Sequence, residues 1–151
     1  MSMQTDCIYG FGSPIHVADE NLAKFIKGHR EVLEFCGEDE KKLLAYVDER
    51  DCYDGISEDF FDYQADDSDS GIYGIVAKVM EQQTGIGFEY RRESDGDDPE
   101  EYILLPERLP WQYNPQERNL TCEQVTEIFQ KYFAELECKC ELDYQRLEYF
   151  G

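Results

Sequence analysis

Hydrophobic residues recur at intervals of three and four along the first half of the chain, which predicts amphipathic helices. The clearest stripe ends in a Thr-Gly pair and consists of Ile72, Ile75, Val76, Val79 and Met80. This spacing predicts a helix that buries one face in a core and stops at the glycine.

Three further helices are predicted before that stripe. The first begins with Asp19 as its N-cap, places apolar residues over Leu22–Ile26, and ends near Gly28. The second is centred on Leu43–Val47 and is preceded by acidic residues, which a helix N-terminus favours. A short third helix is predicted at Ser57–Phe60.

The hydrophobic period changes from helical to alternating after residue 86. Polar and aromatic residues alternate over Gly87–Arg92, and Glu101–Leu105 is apolar and strand-like. Residues 94–99 between them are rich in Asp, Gly and Pro, so we predict an antiparallel hairpin. The segment 109–115 contains two prolines and is predicted to be an extended loop without regular structure.

The chain is predicted to begin and end with strands. Residues 6–12 are apolar and glycine-punctuated, and Cys138–Phe150 is predicted to be one long strand. Thr121 and Gln124 form a capping box that opens a helix before it. The resulting order, β-α-α-α-α-β-β-α-β, predicts a single α+β domain over residues 1–151, with helices packed on an antiparallel sheet of about four strands.

Composition adds a strong acidic bias to this picture. The 151 residues include 35 Asp or Glu and 14 Lys or Arg, which gives a formal net charge of −21. Such a chain is repelled by phosphate, so we do not expect it to bind nucleic acid or an anionic membrane directly. The hydrophobic fraction of 41% argues against intrinsic disorder.

The sequence has the features of a cytoplasmic protein with reduced thiols. It shows no apolar run of secretory or membrane-spanning length. Its six cysteines lack the density of a disulfide scaffold.

The negative charge is concentrated in two segments. Residues 38–69 hold thirteen acids against three bases, and residues 93–116 hold seven acids against one base. Charge at this density opposes compaction, which favours a functional explanation over solubility alone. Two arrangements stay open: the segments form one continuous negative face, or they form separate patches.

We predict that these segments bind a partner protein. Carboxylates in this pattern would act like the phosphates of a nucleic acid, and the interleaved aromatic residues would supply buried anchors. The predicted partner-binding residues are Asp48, Glu49, Asp51, Asp54, Glu58, Asp59, Phe60, Asp62, Tyr63, Asp66, Asp67, Asp69, Glu93, Asp95, Asp97, Asp98, Glu100 and Glu101.

Metal and cofactor sites receive little support from the sequence. Cys138 and Cys140 alternate on the predicted strand, but no second pair with zinc-ligand spacing accompanies them. A calcium loop starting at Asp66 has Ala77 where a bidentate Glu is required. We therefore expect no cofactor and no dedicated metal site, and we interpret the cysteines as buried structural thiols.

Enzyme motifs are equally weak. Neither His16 nor His29 lies in a pattern typical of a nucleophilic hydrolase. Glu137-Cys138-Lys139 has the acid-x-Lys form found on nuclease strands, but three residues in so acidic a chain are a weak signal.

The leading hypothesis is a non-enzymatic acidic binding protein that occupies the basic groove of a nucleic-acid-binding partner. An inhibitor from a phage or mobile element, of the anti-CRISPR or anti-nuclease type, would have this composition. The alternative is an interaction or regulatory module that binds a peptide or small ligand through the loop around Trp111, with charge mainly for solubility. A metal-dependent nuclease ranks third.

Overall fold

Four strands and seven helices form the described part of the chain, which comprises residues 5–50, 55–64, 71–93 and 100–150 of a computed structural model. The strands are β1 (Thr5–Pro14), β2 (Glu89–Glu93), β3 (Glu100–Pro106) and β4 (Asp143–Phe150). The helices are α1 (Asp19–Gly28), α2 (Arg30–Leu33), α3 (Glu38–Glu49), α4 (Ile56–Asp59), α5 (Gly74–Thr84), α6 (Pro115–Arg118) and α7 (Cys122–Glu135). A 3₁₀ turn spans Pro110–Gln112.

The sheet is antiparallel throughout, with the strand order β2-β3-β1-β4. The predicted α+β class and the four-stranded antiparallel sheet are therefore confirmed. Two one-turn helices, α2 and α6, were not predicted as helices. The first follows α1 directly at His29, where the sequence indicated only an apolar turn.

The main core lies between the helices and one face of the sheet. The predicted stripe of α5 is buried there, and α5 ends at Gly85, which adopts a left-handed φ of 76°. Ile103 of β3 faces this core, whereas its neighbour Leu104 faces the other side of the sheet, as strand alternation requires. On that side Leu104 forms a small second cluster with Tyr102 and Leu147.

Close approach of β1 to β3 depends on glycine. A Cβ on Gly12 would lie 2.5 Å from Leu104 Cδ2 and 2.9 Å from Leu104 Cα, and closer still to the Ile103 carbonyl oxygen. Glycine at this position therefore lets the Leu104 side chain cover the strand. The sheet also curls, so that Cα atoms of the edge strands β2 and β4 come within 8 Å of one another.

The prediction that residues 109–115 lack regular structure was wrong. Pro110 is the first residue of the 3₁₀ turn, and Pro115 is the first residue of α6. Proline fits the first helical position, because its fixed φ suits the helix and its missing N–H has no partner there in any case. Asn114 completes the start of α6 by accepting the Glu117 N–H at 2.8 Å.

The prediction of one strand over Cys138–Phe150 was too long, since β4 begins at Asp143. Glu137, just before this segment, has a left-handed φ of 52°, which redirects the chain. The Glu141 N–H then donates to the Ser13 Oγ at 2.9 Å instead of to a β1 carbonyl. Pro14 has no N–H to offer a ladder, so pairing of β4 with β1 stops at Gly12.

The prediction that Asp19 is the N-cap of α1 was wrong, because Ala18 occupies that position. The Asp19 carboxylate lies in the first turn instead, where the helix dipole favours it. It accepts hydrogen bonds from the Gly55 N–H at 3.2 Å and from the Ser57 hydroxyl at 2.6 Å. The Asp19 side chain therefore accepts hydrogen bonds from the start of α4 and does not cap its own helix.

Helix length and polarity also bear on membranes. In the part of the chain that the structure describes, no helix is both long and apolar enough to cross a bilayer.

Candidate partner-binding surface

Helix α3 displays carboxylates because its apolar residues occupy only one face. Leu43, Leu44 and Val47 are buried, which leaves Asp48 and Glu49 exposed at the end of the helix. The Arg30 guanidinium of α2 donates to the Asp48 carboxylate, and this contact raises the pKa of Arg30. Arg50 Nη1 also lies 4.0 Å from Glu49 Oε2, so both of these predicted acidic residues already have a cationic neighbour within the chain.

The segment from α4 to Asp62 continues this acidic surface. Ile56 is buried, while Glu58, Asp59 and Asp62 are exposed. Asp59 and Asp62 border a shallow cavity of about 230 Å³ together with Asp39 of α3. Asp39 of α3 thus meets the acidic residues of the α4 region at one concavity, which Lys42 also lines.

Aromatic residues fix the α4 region to α3. Phe60 is half-buried and packs edge-to-face on Tyr46, with ring centroids 5.0 Å apart. The Arg50 Cζ lies 4.0 Å from the centroid of the Tyr46 ring. A hydrogen bond with Asp59 raises the pKa of the Tyr46 hydroxyl. These contacts hold the carboxylates of the α4 region on a fixed support.

Tyr63 is buried beneath the α4 region and attaches it to α3. It is only 6% exposed, and its hydroxyl donates to the Glu40 Oε1 at 2.6 Å. Burial, followed by this hydrogen bond with a carboxylate, raises the pKa of Tyr63 far above its ordinary value. Lys78 Nζ lies 3.9 Å from the same Glu40 oxygen. Tyr63 therefore anchors the segment and does not present its ring to a partner.

The hairpin carries the second set of acidic residues. Glu93 of β2 and Glu100 of β3 are directly opposite in the strand register. Like charges in that position are destabilising. The Tyr102 hydroxyl donates to Glu100 Oε2 at 3.0 Å, and burial together with Glu100 raises the pKa of Tyr102 to about 12. Glu101 is half-buried and accepts a hydrogen bond from Tyr90 at 2.5 Å.

The two acidic segments are adjacent. Arg92 of β2 places its Cζ 5.3 Å from the centroid of the Phe61 ring, which is 51% exposed. The Gly71 N–H donates to the Tyr63 carbonyl at 2.8 Å, and Gly71 packs against Tyr90 of β2. The chain after α4 therefore runs alongside the hairpin. We refer to Glu58, Asp59, Phe61 and Asp62 together with Arg92 and its register partner Glu101 as the joint acidic surface. Strand alternation places Glu93 and Glu100 on the other face of the hairpin, with Tyr102.

Part of the predicted site lies outside the described residues. The predicted residues that fall outside are Asp51, Asp54, Asp66, Asp67, Asp69, Asp95, Asp97 and Asp98. The other predicted residues, including Glu101, have the positions given above.

Sequence reasoning missed Phe61 and Arg92 as members of this surface. Phe61 adjoins predicted residues in the chain and could have been included as an exposed aromatic. Arg92 carried no such signal, because its contact partner lies 31 residues away in the sequence.

The loop around Trp111 is the second exposed feature. Trp111 is 73% exposed and Leu109 is 51% exposed. The loop is held by Arg108, whose guanidinium donates to the buried Glu117 carboxylate at 2.8 Å and to the Gly87 carbonyl at 3.0 Å. These bonds present two apolar side chains on a rigid support.

The groups considered for nucleophilic catalysis do not form an activated pair. Burial raises the pKa of the Cys138 thiol, which is the opposite of what an attacking thiolate needs. His29 contacts Glu135 at 2.9 Å and Gln83 at 3.3 Å, in the junction between α1 and α7. Glu137 of the acid-x-Lys motif lies in a turn before β4 and not on a strand.

Within residues 5–50, 55–64, 71–93 and 100–150, no group of three or more His, Cys, Asp or Glu side chains is placed to hold a metal ion. Comparisons with protein-family models, with curated proteins and with solved structures found no match for this chain.

Proposed function

We propose that this chain is a non-enzymatic, cytoplasmic binding protein whose joint acidic surface occupies the basic, nucleic-acid-binding groove of another protein. The observation that carries the proposal is the contact between Phe61 and Arg92. It places the acidic segment after α4 beside the hairpin, to which the second acidic segment belongs.

Electrostatics supports this proposal. The net charge of −21 attracts a basic partner over long range and raises the association rate. Glu58 and Asp62 are exposed, so a cationic groove would pair with their carboxylates directly.

The exposed Phe61 ring supplies the apolar component. Interfaces depend on a few aromatic or arginine anchors that lose water on binding, while surrounding charges set orientation and rate. Phe61 lies among Glu58, Asp59 and Asp62, so an anchor and its charged rim are present together.

The kind of partner follows from this chemistry. A protein that holds DNA or RNA in a basic groove would be blocked by the joint acidic surface. We propose inhibition of a nuclease or CRISPR-type effector, with a phage or mobile element as the source of the chain.

The test is competition with nucleic acid. The chain is immobilised, exposed to a lysate freed of nucleic acid, and washed with short duplex DNA or with salt. We expect the captured protein to bind nucleic acid, to be released by the duplex, and to lose affinity steeply as ionic strength rises. Captured proteins that are insensitive to both duplex and salt would overturn the proposal.

Matched variants separate the surface from net charge. Glu58→Gln with Asp62→Asn removes two charges from the joint acidic surface, whereas Glu123→Gln with Glu127→Gln removes two exposed charges from α7. We expect the first pair to weaken partner binding by roughly 2- to 30-fold, as two exposed ion pairs would. Equal weakening by both pairs would show that only total charge matters.

The exposed loop around Trp111 favours a second candidate, an interaction module that binds a peptide or small ligand. In that case Trp111→Ala would abolish partner binding, and binding would depend little on salt. Under the proposed function, Trp111→Ala leaves the salt-sensitive interaction in place.

A further inference from the structure

A cavity of about 390 Å³ opens beside the hairpin, between the end of β1, the start of β3 and the segment that precedes β4. We propose that this cavity is a socket for an arginine side chain of the partner protein. The inference rests on the proposed function, since it specifies how the partner would be held. Its lining includes Ile15, His16, Glu100, Glu101, Cys138 and Glu141.

The cavity combines an apolar wall with carboxylates, as a long cationic side chain requires. Pro14 and Ile15 supply apolar surface, and Ile15 is buried. Glu100, Glu101 and Glu141 are also among the residues that line it. The alkyl part of an arginine would pack on the apolar wall, while its guanidinium reached the carboxylates.

Glu101 is positioned before any ligand arrives. Its carboxylate accepts the Tyr90 hydroxyl at 2.5 Å, and its backbone carbonyl accepts the Ile15 N–H at 2.9 Å. A carboxylate held in this way loses little conformational freedom when a cation binds, so more of the interaction energy contributes to affinity.

The chain's own Lys139 already places a cation at this cavity. Lys139 Nζ lies 2.9 Å from Glu141 Oε1, although its side chain is 83% exposed. The ammonium group thus shows that Glu141 pairs with a cationic side chain, and its exposure shows that little else holds it. A guanidinium from the partner would displace Lys139 from Glu141.

Arginine fits this cavity better than lysine or a metal ion. Its planar guanidinium has five N–H donors and is weakly hydrated, so it can bridge two carboxylates at once. A metal ion needs ligands converging on one point, and the described residues contain no such group.

The test uses the full chain and three small probes in NMR titrations. Nα-acetyl-arginine amide is compared with Nα-acetyl-lysine amide and with the neutral isostere Nα-acetyl-citrulline amide. We expect shifts from the arginine probe at residues 14–16, 100–101 and 138–141, with citrulline binding at least roughly tenfold more weakly, as loss of a charged hydrogen bond implies. Equal binding of arginine and citrulline would overturn the inference, and tighter binding of lysine would overturn the choice of arginine.

Two opposite effects identify the socket itself. Glu141→Gln should weaken binding of the arginine probe, whereas Lys139→Ala should strengthen it because the internal competitor is gone. Glu123→Gln and Lys24→Ala, exposed residues of α7 and α1, make the same charge changes elsewhere and should leave the affinity unchanged. Unchanged probe binding in both Glu141→Gln and Lys139→Ala would refute the socket.

The outcome also separates the socket from the proposed function. Loss of socket binding with intact, salt-sensitive partner capture would refute the socket alone. Arginine binding to a chain that captures no nucleic-acid-binding protein would refute the proposed function and leave a socket for a cationic ligand.

Discussion

Gly12→Ala is the most demanding test of the close packing between β1 and β3. The added methyl group would lie 2.5 Å from Leu104 Cδ2 and 2.9 Å from Leu104 Cα, and it would overlap the Ile103 carbonyl oxygen. Two of these three neighbours are backbone atoms, which cannot rotate away as a side chain can. The strands must therefore separate or twist, and the second cluster around Leu104 must repack.

Overpacking of this kind costs about 1–3 kcal/mol, and the backbone contacts put Gly12→Ala at the upper end of that range. With a urea dependence of about 2 kcal/mol per M, the unfolding midpoint should fall by roughly 1.5 M. Urea unfolding followed by far-UV circular dichroism measures the shift. Near-UV dichroism should change as well, because Tyr102 belongs to the same cluster.

Gly28→Ala is the matched control, since it makes the same chemical change at the last residue of α1. Nothing lies within 4 Å of a Cβ at that position. We expect Gly28→Ala to be neutral or to stabilise by up to about 1 kcal/mol, because alanine favours helix. A Gly12→Ala variant as stable as Gly28→Ala would refute the close approach of β1 and β3.

Three further predictions concern stability. Arg108→Met should destabilise the fold by about 3–5 kcal/mol, because it leaves the Glu117 carboxylate buried without its ion pair. Adding Glu117→Gln should recover part of that loss in urea unfolding, and no recovery would contradict the ion-pair explanation. The free energy of unfolding should fall as pH rises from about 10 to about 12, since the folded chain holds the protons of Tyr102 and Tyr63 more tightly than the unfolded chain does. Tyr102→Phe should reduce the slope and leave the contribution of Tyr63, and an unchanged slope would contradict the role of Tyr102. Thr121→Ala should cost about 1 kcal/mol through loss of the α7 N-cap, and Thr121→Ser should restore most of it in thermal melts.

Local features of the fold were predictable because their causes lie within a few residues. Thr121 and Gln124 cap α7 as their spacing indicated, with hydrogen bonds of 3.0 and 3.2 Å. The stripe of α5 is buried, and Gly85 ends that helix in the left-handed conformation. In each case the residue that sets the local structure lies within a few positions of the backbone whose conformation it determines.

Features that depend on distant contacts were not predictable in the same way. The approach of Phe61 to Arg92, and so the joint acidic surface, arises from the packing of the α4 region beside β2. The start of β4 at Asp143 was not predicted, because it depends on the hydrogen bond that the Glu141 N–H donates to the distant Ser13 hydroxyl. The alternation of Cys138 and Cys140 in the sequence does not indicate this hydrogen bond.

The carboxylate of Asp19 makes the folding of two helices interdependent. It lies in the first turn of α1 and also accepts hydrogen bonds from Gly55 and Ser57 at the start of α4. A four-residue helix is not stable alone in water, so α4 depends on contacts with helices that precede it. Asp19 of α1 supplies two of these contacts, and α3 supplies others through Tyr46 and Glu40. The geometry of the charged segment that follows Ser57 therefore depends in part on a residue more than thirty positions earlier in the chain.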